Sequence, residues 1–134
     1  MKVTGGCHCG AIKYEAEVDP STTGVCHCTD CQKFSGSAFR VGVNAAAKDF
    51  RLLAGVPRTY VKTAESGTKR AQAFCAECGT HIYATSTDPQ PLVLRIRAAT
   101  TDQAAVLVPK AQIWTRSALP WVARLNDLPR RELQ

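Results

Sequence analysis

Hydrophobic and polar positions alternate with a period of two through most of this chain. The breaks between the alternating runs carry the cysteines. From Ala11 to Val18, the residues Ile12, Tyr14, Ala16 and Val18 fall on one face and Lys13, Glu15 and Glu17 on the other. That is the pattern of a strand with one buried face. Asp19-Pro20-Ser21-Thr22-Thr23-Gly24 reads as a loop, because residue types that favour turns cluster there. Thr29–Ser35 is expected to form a short helix closed by Gly36 as its C-cap. Ala38–Val43 returns to strand, with Phe39, Val41 and Val43 on one face. Phe50–Leu53 and Arg58–Thr63 flank Ala54-Gly55-Val56-Pro57, which predicts a hairpin. Strands are also expected at Ala71–Phe74 and Thr80–Ala84, on either side of Cys75–Gly79. Pro89 and Pro91 bound a loop. Beyond it Leu92, Leu94 and Ile96 alternate with Val93, Arg95 and Arg97, and Ala111–Trp114 reads as a last strand. No internal repeat or linker is visible. The expectation is a mostly β domain with short helical turns and its cysteines in loops.

Composition narrows the function classes. At 134 residues the chain suits a single domain, 1–134, large enough to bury a real core. No apolar run has the length of a membrane span. Met1–Gly6 has no apolar h-region, which points to a cytoplasmic, reducing setting. The formal charge is +6 with the cysteines counted as neutral. The longest basic runs are the dipeptides Lys69-Arg70 and Arg130-Arg131. That argues against a nucleic-acid partner and suits a small anionic substrate better.

The seven cysteines fall in three clusters: Cys7-His8-Cys9, Cys26-His27-Cys28-Thr29-Asp30-Cys31 and Cys75-Ala76-Glu77-Cys78. An odd count leaves one thiol unpaired in any disulfide framework, and cysteines two apart bridge badly. As metal ligands they divide into four plus three. Cys7, Cys9, Cys75 and Cys78 would close a tetrahedral structural zinc. Cys26, Cys28 and Cys31 would hold a second zinc with an open position, where zinc chemistry takes place. A rival grouping joins Cys28, Cys31, Cys75 and Cys78 in one ribbon-like site and strands the other three. Three thiolates make the metal a weak Lewis acid suited to a fourth soft ligand, a thiol held as the nucleophilic thiolate. Cys31 would lie near a helix N-terminus, which favours an anion. Two further classes stay open: a structural zinc module for protein or nucleic-acid binding, and a redox enzyme using Cys28 and Cys31 as a dithiol.

His8 and His27 each sit between two cysteines. Extended chain points them away from the ligand face, so they read as neighbours of the metal or surface residues rather than ligands. His81 reads as a strand residue.

The segments Gly5-Gly6-Cys7-His8-Cys9-Gly10-Ala11-Ile12-Lys13-Tyr14, Cys26–Phe39 and Phe74-Cys75-Ala76-Glu77-Cys78-Gly79-Thr80 resemble the glutathione-dependent formaldehyde-activating enzyme family. That family also contains centromere protein V relatives. Ala118-Leu119-Pro120-Trp121 is similar to its closing segment. The resemblance implies a β-tent fold and two zinc sites. Cys7, Cys9, Cys75 and Cys78 match the structural ligands, and Cys26, Cys28 and Cys31 match the catalytic site. It further implies a carbon–sulfur lyase that joins glutathione and formaldehyde reversibly as S-(hydroxymethyl)glutathione. The two glutathione carboxylates need cations. Lys33, Arg95 and Arg97 are the candidates for substrate binding, with Arg40 also flanking the second cluster. Trp114 and Trp121 are expected in the core or a pocket wall.

Overall fold

The computed structural model describes residues 1–133. Its elements are β1 (Lys2–Gly6), β2 (Lys13–Cys26), α1 (Thr29–Ser35), β3 (Arg40–Ala54), β4 (Arg58–Thr63), β5 (Lys69–Phe74), β6 (His81–Ser86), β7 (Val93–Arg97) and β8 (Ala111–Ile113), with short 3-10 turns after β7. The expectation of a mostly β fold holds. The strands form one open sheet in the order β1-β2-β3-β7-β6-β5-β4, antiparallel along that path. The last strand, β8, runs parallel to the end of β2, through Gly24↔Ala111 and Cys26↔Ile113.

The alternation predicted the buried face of β2 correctly. Ile12, Tyr14, Ala16 and Val18 are all buried and pack with Val3, Val43, Ala45, Ile82, Leu94 and Ile96. Each large apolar side chain sunk this way contributes roughly 1.5–3 kcal/mol. Tyr14 is fully buried but keeps a 2.7 Å hydrogen bond between its hydroxyl and that of Thr100. Its ring stacks on Phe50 at 5.2 Å, and Phe50 meets Tyr83 edge-on at 5.2 Å. Burial pushes the Tyr14 phenol up to about 12.

Three local expectations differ from the structure. Asp19–Gly24 is not a separate loop but a bulged stretch inside β2. Asp19 pairs with Asn44 and Gly24 with Gly42, so β2 carries extra residues between the two pairs. Those residues satisfy one another: Ser21 donates from backbone and side chain to Asp19, and Thr23 Oγ1 donates to the Pro20 carbonyl. Turn chemistry is present, but it makes a bulge rather than a strand end. The hairpin across Gly55 is absent. β3 pairs with β2 and β7, while β4 sits at the far edge against β5. Neighbouring strands in sequence pair often but not always. Leu92 lies outside β7 and is exposed.

The helix forms as expected. Cys28 caps α1, its Sγ accepting from the Cys31 amide at 3.3 Å, and Gly36 closes it at φ 60°. Among the described residues no helix is long and apolar enough to cross a membrane.

Candidate metal centres and substrate cleft

The fold gathers the seven thiols into two groups. The Sγ atoms of Cys7, Cys9, Cys75 and Cys78 lie within 4.8 Å of one another, and so do those of Cys26, Cys28 and Cys31. The rival grouping of Cys28 and Cys31 with Cys75 and Cys78 does not form. No histidine joins either group among the described residues. His27 is buried rather than at the surface, and its Nε2 shares a 2.8 Å hydrogen bond with Gln112 Oε1. His81 stacks between Phe74 and Phe34, at 5.6 and 5.4 Å.

Two turns build the four-cysteine site. In the first, Cys7 N donates to the Ile12 carbonyl at 3.1 Å, and Ile12 N donates to Cys7 Sγ at 3.2 Å. In the second, Gly79 N donates to the Cys75 carbonyl at 2.9 Å. Gly79 takes φ 75°, a left-handed conformation open to glycine at little cost. Thr80 joins the turns, with its Oγ1 3.2 Å from Cys78 Sγ and accepting from His8 N at 3.1 Å. The Thr80 hydroxyl and amide hold the Cys78 thiol down to about 5. A tetrahedral zinc with bonds of about 2.3 Å to sulfur sets its ligands about 3.8 Å apart. Cys7 and Cys9 stand at 3.6 Å and Cys9 and Cys75 at 3.8 Å. The donor set is therefore compatible with zinc.

Cys26 ends β2, Cys28 caps α1 and Cys31 lies within it, so one strand-to-helix corner presents all three sulfurs. Contact with Cys31 holds the Cys26 thiol down to about 5, against its burial and with help from the Cys28 amide and the Arg40 charge. Cys31, across the same contact and buried, is pushed up. The trio opens on a cavity of about 250 Å³, whose lining includes Arg40, Lys62, Arg70, Arg95 and Arg97. No carboxylate is among its described lining residues.

Sheet order assembles that wall. Asn44 faces Arg95 across β3–β7, Arg95 faces Ala84 across β7–β6, and Ala84 faces Gln72 across β6–β5. Arg95 crosses the paired glycines Gly24 and Gly42. A Cβ on Gly42 would lie 2.8 Å from its Nε. It donates to the Thr22 carbonyl at 2.8 Å and to Asn44 Oδ1 at 3.1 Å. Gln72 Oε1 accepts from Arg97 at 2.9 Å and from Arg40 at 3.3 Å. Arg97 is 5% exposed, and burial followed by the nearby Arg40 charge presses its pKa down.

Arg95 and Arg97, singled out in the sequence, thus line the cavity beside the trio. Lys33 does not. It is exposed in the last turn of α1, and nearness in sequence does not bring it inside. Lys62, Arg70 and Gln72 were missed. Their signal, Arg70 and Gln72 two apart on β5 with Lys62 opposite Arg70 on β4, becomes informative only with the strand order. Trp114 is a cavity wall, but Trp121 is 53% exposed and belongs to neither core nor cavity.

A small, open-sheet β domain with one four-thiol and one three-thiol centre is the class these features define. The family model for glutathione-dependent formaldehyde-activating enzyme matches residues 2–117, and the chain belongs to that family. The match stops one residue before Ala118. A crystal structure of a Rhodobacter sphaeroides protein, a structural-genomics target, shares the fold. It is 22% identical, with a TM-score of 0.62, and the alignment covers 84% of this chain and 99% of that one.

Proposed function

We propose that this protein is a zinc-dependent carbon–sulfur lyase that makes and breaks S-(hydroxymethyl)glutathione, with residues 1–134 acting as one catalytic domain in the cytoplasm. The observation that carries the reading is the Cys26–Cys28–Cys31 trio opening on a cavity walled by cations. Family membership supplies the thiol and the aldehyde, glutathione and formaldehyde. Cys7, Cys9, Cys75 and Cys78 would hold a structural zinc, and Cys26, Cys28 and Cys31 a second one. Zinc in the trio would offer an open position to a soft sulfur ligand and favour its thiolate form.

This chain's residues supply the rest. Arg40, Arg95 and Arg97 make the cavity electropositive and draw the anionic thiol towards the trio. In the forward direction the thiol proton leaves to solvent and a carbon–sulfur bond forms at the carbonyl carbon. The carbonyl π pair moves to oxygen, which takes up a proton, so the adduct is the sum of its two reactants. The same positive charge stabilises the oxygen on which negative charge develops. In reverse the same bond breaks and the thiol regains a proton.

Calorimetry on the zinc-loaded protein tests the sulfur capture. Glutathione should bind and S-methylglutathione, which cannot become a thiolate, should not. Equal binding of the two would exclude a site built around the sulfur.

A further inference from the structure

The cavity beside the trio adjoins a second one of about 630 Å³, and Cys28, Lys62 and Trp114 line both. The two differ in charge. The cavity beside the trio holds Arg70 with no carboxylate in its described lining. The second cavity carries both signs: Asp30 pairs with Lys62, and Glu65 lies 3.8 Å from Arg116. Trp114 stands on the boundary. It is the one non-glycine residue with positive φ among those described, at 57°, directly after β8 fixes Ile113 beside Cys26. That conformation costs about 1 kcal/mol or more. The Arg116 guanidinium lies 5.0 Å from the centre of the Trp114 ring.

A ligand that fills both cavities needs a sulfur in its middle, a bare anion at one end and a head of both signs at the other. A γ-glutamyl tripeptide thiol has that order: glycine carboxylate, cysteine sulfur, amino-acid head. Building on the glutathione reading above, we propose that the tripeptide binds with a fixed polarity. Its glycine carboxylate enters the cavity beside the trio at Arg70, and its γ-glutamyl head lies in the second cavity against Trp114, Glu65 and Arg116. Arg70 suits the first role because it makes no hydrogen bond or ion pair among the described residues, whereas Arg95 and Arg97 are already tethered. Glu65 and Arg116 are exposed and form a weak pair that a zwitterion can displace. Trp114, Arg70 and Arg116 are thus specificity determinants of the thiol.

The test measures dissociation constants of glutathione, its glycine monoethyl ester and cysteinylglycine on zinc-loaded protein and variants, with zinc content as the control for folding. In the unaltered protein each truncated ligand should bind at least about tenfold more weakly, the scale of one charge-assisted contact. Arg70→Gln should erase the penalty on the ester and keep that on cysteinylglycine, and Arg70→Lys should restore part of the former. Arg116→Gln and Trp114→Ala should shrink the penalty on cysteinylglycine alone. The opposite assignment of penalties, or an equal loss for all three ligands in every variant, would overturn the polarity while leaving thiol capture intact. Failure of all three to bind the unaltered protein would remove the glutathione reading, and the polarity with it.

Discussion

Cys9 and Cys75 lie 66 positions apart in the chain, yet their sulfurs approach to 3.8 Å. The contact joins the turn between β1 and β2 to the turn between β5 and β6, elements on opposite sides of the sheet order. A metal there closes a long loop, which restricts the unfolded chain strongly and couples metal binding to folding. Cys75→Ser should therefore lower stability by about 3 kcal/mol or more, roughly 10 °C in Tm. Thermal denaturation followed by circular dichroism checks this. A variant that melts with the parent would show that the four-thiol site is dispensable for the fold.

Cys28→Ser should behave differently. Cys28 caps α1 through its sulfur, and serine is itself a favoured cap. The trio spans only Cys26 to Cys31, so it constrains little of the unfolded chain. The variant is expected to keep Tm within a few degrees while metal content falls from two per chain to one. A fall in Tm as large as that of Cys75→Ser would make the trio a structural site.

Gly42→Ala should displace Arg95, because the added Cβ would stand 2.8 Å from Arg95 Nε. The bonds to the Thr22 carbonyl and Asn44 Oδ1 would be lost with it. The expected cost is about 1–3 kcal/mol in urea denaturation, with weaker glutathione binding. In an Arg95→Ala background the same change should cost clearly less, since the closest clash is gone and only the Ile96 carbonyl at 3.2 Å remains. Additive effects would show that the glycine serves some other purpose.

The buried Tyr14 phenol makes stability depend on alkaline pH. Its pKa is raised to about 12 in the folded chain, from an ordinary value of 10. The unfolded chain therefore loses this proton first, and the contribution, full below pH 10, is lost as pH rises towards 12. Its size is about 2 kcal/mol. Tyr14→Phe should flatten this limb of the stability curve by about one proton, measured by urea titration across that range. An unchanged slope would place the alkaline sensitivity elsewhere.

Much of the fold was legible from local pattern. The period-two run from Ile12 to Val18 gave β2 its buried face, and Gly36 marked the end of α1. Spacing offered the division of the cysteines into four and three beside a ribbon-like rival, and the fold decides between them. What local pattern could not supply was strand order. Residues 50–53 and 58–63 look like a hairpin because they are adjacent and flank a glycine. In the fold β7, β6 and β5 separate them, since β3 satisfies its edges with β2 and β7. The same gap hid Arg70 and Gln72. Each is one polar residue on an ordinary strand until β5 is set two strands away from Arg95. Lys33 is the opposite case, near the trio in sequence but exposed on α1 and outside the cavity lining.

Nuclear magnetic resonance exchange spectroscopy on an equilibrium mixture of glutathione, formaldehyde and their adduct tests the central claim most directly. It reads the rate at which the carbon–sulfur bond forms and breaks. Protein carrying two zinc ions per chain should raise that rate well above the spontaneous exchange, and Cys28→Ser protein carrying one should not. Exchange that stays at the spontaneous rate with the fully loaded protein, or rises equally with the Cys28→Ser variant, would contradict a lyase centred on the three-cysteine site.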